Sequence, residues 1–415
     1  MTNLDTTTSF QGLGIAPRLM EILTKLGFKS PTPIQKQSIP AAIEGKDLIG
    51  IAQTGTGKTL AFGIPMLQRL VITKSKGLVL LPTRELAIQV NDALKQIGGP
   101  LGLKTSVIIG GESMNNQIRD LKRDPHVIIA TPGRLIDILS QKVLNLNKIG
   151  VLVLDEADRM LDMGFAPQLH KILLHLPKTR QTMLFSATMD EEITKIASAY
   201  LELPLRIEVA PAGTTVNQIT QEIILVSKPE KIGLLKKILG EYNGSTLVFS
   251  RTKHNAKKIT KLIKNFGFTA AEIHSNRSLN QRLEALEGFK MGKYRVLVAT
   301  DIAARGIDVR NIELVINYDL PEHAADYVHR IGRTARAGKS GHAISFATAD
   351  QRSDIRAIER LIKKTLPVSQ ASGIEKTQSE PAPNRQNKMH SRPRFRQSSF
   401  RHPRRNNSSR GFNRI

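Results

Sequence analysis

Short apolar, β-favouring runs alternate with amphipathic helical stretches along this chain, and the alternation occurs twice. In the first half the strand candidates are Gly77–Leu81, Thr105–Ile109, Val127–Ala130, Val151–Leu154 and Thr182–Phe185, with helical patterns such as Arg84–Ile97 and Gly133–Leu139 between them. The second half repeats the theme with Glu222–Val226, Thr246–Phe249, Ala270–His274, Arg295–Ala299, Leu314–Asn317 and His342–Phe346. Strands this uniformly apolar need cover on both faces, which predicts parallel sheets sandwiched by helices rather than half-solvated antiparallel ones. The two halves share no fixed-period repeat, so a solenoid is not expected. Pro211, Gly213 and two threonines interrupt the pattern near residues 210–217 and mark a linker. The expected organisation is a first domain over 1–209, a linker over 210–217, a second domain over 218–367 and a tail over 368–415. That tail has 9 apolar residues in 48, too few to offset the entropy of ordering it, and is expected to be disordered.

Two segments carry chemistry on their own residues. Ala52-Gln53-Thr54-Gly55-Thr56-Gly57-Lys58-Thr59 lies between an apolar strand (Asp47–Ile51) and a helical stretch (Leu60–Leu70). A Gly-rich loop in that setting closes backbone N–H groups on phosphate oxygens and offers the positive end of a helix. Lys58 would reach the β- and γ-phosphates, and the Thr59 hydroxyl would ligate Mg²⁺. The usual pattern begins with Gly where this chain has Ala52. Farther on, Val151-Leu-Val-Leu-Asp155-Glu156-Ala157-Asp158 is a buried-strand pattern ending in acids. Ligands collect at the carboxyl ends of strands in open α/β sheets, so Asp155 is the metal candidate and Glu156 the water-activating candidate. An acidic helix N-terminus is the alternative for this second segment.

Further motifs follow the same order along the chain: Gly27-Phe28-Lys-Ser-Pro-Thr-Pro-Ile-Gln35, Pro82-Thr83-Arg84-Glu-Leu86, Gly110-Gly111, Thr131-Pro-Gly-Arg134 and Ser186-Ala-Thr188 in the first half. Val248-Phe-Ser-Arg251-Thr252, Ala299-Thr300-Asp-Ile-Ala-Ala-Arg305-Gly-Ile-Asp308 and Tyr327-Val-His329-Arg330-Ile-Gly-Arg333-Thr-Ala-Arg336-Ala-Gly338 lie in the second. With these motifs, residues 10 to about 366 resemble the DEAD-box ATP-dependent RNA helicases, and the subgroup is similar to the bacterial RhlE type.

The resemblance implies two tandem RecA-like α/β domains, ATP and Mg²⁺ as cofactors, and an RNA-stimulated ATPase that unwinds or remodels RNA. It assigns Gln35, Phe10 and Phe28 to the adenine base, the loop residues 52–59 to the phosphates, and Asp308 to the ribose. Lys58, Asp155, Glu156, Arg333 and Arg336 become the catalytic set, with the two arginines as fingers supplied by the second domain. Asp158, Ser186, Thr188 and His329 become the coupling between domains. Thr83, Arg84, Gly110, Gly111, Thr131, Arg134, Arg251, Arg282 and Thr300 become RNA contacts, sequence-independent because they offer hydroxyls, bare N–H groups and guanidinium groups to the backbone. The spacing of Arg330, Arg333 and Arg336 places them near one helix face. One stretch departs from the family: His274-Ser275-Asn-Arg-Ser-Leu279-Asn-Gln-Arg282 has Ser275 and Leu279 where Gly and Gln are usual.

The formal net charge of +25 suits a polyanion, with nucleic acid ahead of an anionic membrane or a merely solubilising surface. The tail holds 11 Lys and Arg against Glu375 and Glu380, with Phe395, Phe400 and Phe412 interspersed, a pattern for loose RNA contact. Cysteine is absent, excluding disulfides and thiolate metal sites. No secretory signal and no run of about 20 apolar residues is visible, so the protein is expected to be cytoplasmic and off the membrane. Single-stranded RNA and short duplexes are the expected partners, with ribosomal or RNA-degradation proteins as further candidates. A DNA-directed motor on a similar core and a non-catalytic RNA chaperone are the rival readings.

Overall fold

The computed structural model describes residues 9–52, 55–209, 219–304, 309, 312–335 and 341–371. Two seven-stranded sheets are built entirely from parallel pairs. The first contains β1 (Leu48–Ile51), β2 (Lys76–Leu80), β3 (Thr105–Ile108), β4 (Val127–Ala130), β5 (Ile149–Leu154), β6 (Gln181–Ser186) and β7 (Leu205–Glu208). Its spatial order is β3-β4-β2-β5-β6-β1-β7. The second contains β8 (Ile219–Leu225), β9 (Thr246–Phe249), β10 (Ala270–Ile273), β11 (Val296–Ala299), β12 (Leu314–Asn317), β13 (Gly341–Ala347) and β14 (Val368–Gln370), in the order β10-β11-β9-β12-β13-β8-β14. Counted from its own first strand, the second sheet has the same order as the first. The two α/β units expected from sequence are thus two copies of one topology.

Alternation along fully buried strands explains the two-faced cover. In β5, Val151 and Val153 join a cluster with Phe62, Leu67 and Leu94, whereas Leu152 and Leu154 join another with Ile138, Met160 and Ile172. Successive strand side chains point to opposite faces, so one apolar run feeds two cores. Each such side chain contributes roughly 1.5–3 kcal/mol by burial. Close packing also fixes a glycine: a Cβ on Gly50 in β1 would lie 2.6 Å from the Phe185 ring.

One unpredicted strand and one boundary differ from expectation. β7 is an exposed edge strand with only Ile207 buried, too polar for its sequence to declare it. β14 pairs with β8 through Val368↔Ile223, Ser369↔Ile224 and Gln370↔Leu225, so the ordered second lobe runs past residue 367 into the expected tail. A single exposed valine followed by two polar residues gives no strand pattern; the strand exists because β8 offers its backbone an edge. The linker at 210–217 and the tail from 372 onward lie outside the described residues.

Candidate active site

The carboxyl ends of β1 to β6 deliver the first lobe's candidate residues to one edge. The phosphate loop follows β1. Gly57 has φ of +90° and precedes the helix Lys58–Thr73. A Cβ there would overlap Gln35 Nε2, which donates to the Gly57 carbonyl at 2.9 Å. Gln35 Oε1 accepts from Thr32 N–H at 2.9 Å. The glutamine therefore ties the helix Pro33–Ile43 to the loop. One amide N–H and one oxygen lone pair then remain to read a base edge.

The contacts of Ala52 explain its departure from the generic phosphate-loop pattern. Its side chain is buried in the core, its N–H donates to Ser186 O at 2.9 Å, and its carbonyl accepts from Lys58 Nζ at 3.0 Å. Both polar contacts use backbone, so a methyl group is tolerated. Gln53 and Thr54 lie outside the described residues.

Lys58 and Asp155 face each other at 3.9 Å, each about 6% exposed. Burial pushes the Asp155 carboxyl up to about 6, against the pull of Lys58 and with help from Glu156. Its Oδ1 accepts the Glu156 N–H at 2.9 Å. Glu156 sits in the left-handed region (φ 52°, ψ 48°), where a non-glycine residue costs about 1–3 kcal/mol. Its Oε2 accepts from Arg159 Nη1 at 2.6 Å, with both side chains 4% exposed. Asp158 uses Oδ2 to accept from Ala187 N–H (2.9 Å) and Thr188 N–H (3.3 Å). The acidic segment is therefore joined to Ser186–Thr188 through backbone donors, not through the two hydroxyls.

The second lobe meets the same acids. His329 is half-buried, and desolvation, then Arg159 and Arg333, hold its imidazole down at about 4, opposed by Asp158 and Asp326. Its Nδ1 is buried without a hydrogen-bond partner. Arg333, 3% exposed, donates from Nε to the His329 carbonyl at 3.2 Å. The shared helix face expected for the three arginines is corrected here, because the helix Ala324–Ile331 ends before Arg333. Arg330 belongs to the lobe's interior: it contacts Asp301 (2.5 and 2.7 Å), Asn317 Oδ1 (3.2 Å) and the Asp319 carbonyl (2.6 Å), with its guanidinium over the Phe249 ring. Arg305, Asp308 and Arg336 lie outside the described residues.

Phe10 is 2% exposed and part of the first lobe's core, so its ring is a packing element rather than an open face for a base. Phe28 is exposed at 37%.

The expected RNA contacts of the first lobe converge. Thr83 accepts from Leu86 N–H as the cap of the helix Arg84–Gly98. The Arg84 guanidinium lies against Gly110 and Gly111, in the space a Cβ on Gly111 would need. Arg134 Nη1 donates to the Glu112 carbonyl at 3.0 Å, and Thr131 stands at the N-terminal boundary of the helix carrying Arg134 without a side-chain capping bond. In the second lobe, Arg251 is aimed by Asp319 Oδ2, which accepts its N–H at 3.1 Å, and by the Leu320 carbonyl, which accepts from Nη2 at 3.2 Å. Thr300, half-buried, follows β11 and donates its N–H to Ile273 O. Arg282 is engaged otherwise: its Nη2 pairs with Glu85 Oε1 of the first lobe at 2.6 Å.

The departures at 275 and 279 now separate. Ser275 is exposed, whereas Leu279 is 6% exposed and, with Leu283, packs into the first lobe's core cluster. A cleft of about 270 Å³ there is lined by Ile88, Val107 and Ile109 from one lobe and Leu279 and Leu283 from the other. Sequence reasoning assigned no role to Glu85, Arg159 or Asp319. Only Arg159 left a signal, its spacing of three from Glu156.

A DEAD/DEAH box helicase family model matches residues 32–196, and a helicase conserved C-terminal domain model matches 230–338. This chain belongs to the DEAD/DEAH box helicase family. Among its relatives are the ATP-dependent rRNA helicases RRP3 of Debaryomyces hansenii (45% identical over 363 residues, 86% of this chain and 76% of the relative) and Candida albicans (46% identical over 363 residues, 86% and 68%). Solved helicases share the fold: S. cerevisiae Dbp5 bound to RNA and ADP BeF3 aligns with a TM-score of 0.79 at 30% identity, covering 88% of this chain and 95% of that one. Mss116p bound to ssRNA and AMP-PNP aligns at 0.80 and 29%, covering 86% and 78%. Among the described residues, no helix of this helicase is long and apolar enough to cross a membrane.

Proposed function

We propose that this chain is an RNA-stimulated ATPase whose two lobes close one nucleotide site and thereby remodel bound RNA. The observation that carries the reading is the approach of His329, from the second lobe and with Arg333 bonded to its carbonyl, to Asp158 and Arg159 of the first, in the same acidic segment as the buried Lys58–Asp155 pair.

The residues present fit a nucleoside triphosphate and a divalent cation. Gly57, in the left-handed conformation, turns the loop into a helix N-terminus of the kind that favours phosphate, and Lys58 and Asp155 form a buried pair of opposite charge. The described residues contain no cluster of three or more His, Asp or Glu that could hold a metal by themselves. That suits Mg²⁺, which is bound through one or two carboxylates together with substrate phosphates. Asp155 and Thr59 would hold it, and the cation would neutralise charge on the transferring phosphoryl group.

In the proposed cycle, Lys58 and the loop N–H groups bind the phosphates, while Gln35 and Phe28 recognise the base. Glu156, held by Arg159, orients and deprotonates the attacking water. Arg333, and Arg336 beyond it, stabilise the charge developing on the phosphoryl oxygens. Asp158 transmits the state of the site to Ser186–Thr188 and His329. Arg84, Arg134, Arg251 and Thr300, with Thr83, Thr131, Gly110 and Gly111, grip the RNA backbone. Arg282 supports this grip from the lobe boundary. Asp308 remains the proposed ribose contact.

Single-stranded RNA and short duplexes are the proposed substrates, and the basic tail adds loose contacts. A cytoplasmic location suits a cysteine-free chain, and ribosomal or RNA-degradation proteins are the proposed partners. The bacterial RhlE-type placement rests on the sequence motifs alone, and the relatives named above, all fungal, give it no support. We set the lobes at 1–209 and from 218 through Gln370, with the remaining tail beyond. The test is ATP turnover of the whole chain with and without RNA: strong stimulation is expected, and indifference to RNA would overturn the reading.

A further inference from the structure

We propose that the cleft between the helices Lys253–Asn265 and Leu279–Lys290, along the free edge of β10, is a second RNA site that takes unpaired nucleotides of a strand extending beyond the interlobe surface. The inference rests on RNA being the ligand of the core and adds a site that the core motifs do not include.

The cleft, of about 420 Å³, is within the range of small-ligand sites. It exists because β10 is an edge strand, paired only with β11, and because Ala270, Ala271 and Ala285 leave its floor empty of large side chains. One wall is strongly basic. The helix Lys253–Asn265 carries five lysines and no acid in 13 residues. Lys257, Lys261 and Lys264, at spacings of four and three, share one face, are exposed and line the cleft. At 1.5 Å rise per residue they stand about 4.5–6 Å apart along the axis, close to the spacing of successive phosphates along a strand.

The acids of the cleft do not neutralise these lysines. Glu284 Oε1 accepts from Lys293 Nζ at 2.9 Å and from the Tyr294 hydroxyl at 2.8 Å. Those two hydrogen bonds hold its carboxyl below the usual range. Glu272 Oε1 accepts from Arg277 Nε at 2.9 Å. Lys257, Lys261 and Lys264 form no ion pair among the described residues, so the wall keeps a net positive field that attracts a polyanion.

A second observation selects the kind of polyanion. Glu272 is 7% exposed, and its Oε2 is buried without a hydrogen-bond partner. A buried carboxylate oxygen without a donor is costly, about 1–3 kcal/mol or more. An acidic peptide adding a strand to β10 would bring charge for the lysines, but its carboxylates have no proton to give Glu272 and its N–H groups facing β10 would be spent on the carbonyls of that edge. A nucleotide brings both: phosphates for the lysines and, on its base, an amino group of the kind carboxylates accept from in cytosine. Tyr294, half-buried at the far end, supplies an aromatic ring of the type on which bases stack.

The cleft is also continuous with the core's RNA surface. Thr252, beside Arg251, caps one of its walls, and Ser278, four residues before Arg282, caps the other. A strand held by Arg251 at the carboxyl edge of the second sheet can therefore turn down this flank without leaving protein.

The experiment uses the full chain and two single-stranded RNAs: one just long enough to saturate ATP turnover, and one extended on both sides. The triple variant Lys257→Gln, Lys261→Gln, Lys264→Gln should bind the short RNA and turn over ATP as the parent does. Its affinity for the long RNA should fall, and the slope of log affinity against log salt should flatten by about 2, at ~0.7 per lost single-strand phosphate contact. Glu272→Gln should reduce discrimination in favour of cytosine-containing extensions. Equal behaviour of the variant and parent on the long RNA, or equal losses on both RNAs, would overturn the proposal. So would loss of polyglutamate binding with long-RNA binding intact, which would mark a protein-docking groove. Failure of the short RNA to stimulate the parent would instead sink the helicase reading itself.

Discussion

Arg282 of the second lobe pairs with Glu85 of the first at 2.6 Å, with the two side chains 13% and 9% exposed. The pair sits on helices that each begin at an RNA-facing motif, so it can exist only while the lobes are together. Partly buried charges removed singly leave an uncompensated partner. A double-mutant cycle with Glu85→Gln and Arg282→Met should give a coupling of about 1–3 kcal/mol. It should be read from the RNA-induced gain in nucleotide affinity, with little change in the unfolding of either lobe.

Leu279 stands where the family usually has Gln, and it packs across the same boundary. Leu279→Ser should weaken closure by about 1–3 kcal/mol through lost apolar burial. RNA-stimulated turnover should reach saturation only at higher RNA and ATP, while basal nucleotide binding stays as it was. Nucleotide titrations with and without RNA check both parts.

Glu156→Gln should lower turnover by about 10²–10⁴ as a lost general base, and Arg333→Ala by about 10³–10⁵ as a lost finger. Neither should abolish ATP binding. A Glu156→Gln chain with near-parental ATPase would remove Glu156 from the chemistry and leave its bond to Arg159 as its whole role.

Gly57→Ala places a methyl group where Gln35 Nε2 lies, at a φ of +90°. Strain of roughly 1–2 kcal/mol from the left-handed backbone adds to the displaced hydrogen bond. ATP affinity should fall at least about tenfold, corresponding to 1.4 kcal/mol, in an equilibrium nucleotide titration, with RNA binding in the absence of nucleotide retained.

His329 titrates near 4, down from its ordinary 6.5, because burial and then Arg159 and Arg333 disfavour its charge. The unfolded chain therefore binds the proton more readily between those values. The contribution to stability is complete above about 6.5 and is lost as the pH falls toward about 4. Asp155 acts in the opposite sense, since burial raises it to about 6 and its contribution falls as the pH rises from 3.8. Urea unfolding at several pH values should show that His329→Gln loses stability less steeply than the parent on acidification from 6.5 to 4. Parallel profiles would show that the imidazole does not titrate between folded and unfolded states.

The fold class and most of the chemistry were legible in residue order. Asp155, Glu156 and Lys58 announce themselves because strand periodicity and a Gly-rich loop are local patterns, written within a few positions of each other. Of the edge strands, β3 and β10 were legible, but β7 and β14 were not: β14 has no buried side chain, so nothing in Val368–Gln370 distinguishes it from a tail.

The chain's order alone determined that two α/β units would form and that one would carry a phosphate loop and an acidic strand end. Only the tertiary structure decided who meets whom: Arg282 with Glu85, His329 with the Asp158–Arg159 segment, and Arg330 with Asp301 inside its own lobe. Those partners are separated by up to about 200 residues. Charge and hydrogen-bond capacity belong to a residue type, but the distance over which they act is set by packing, and no local spacing records it.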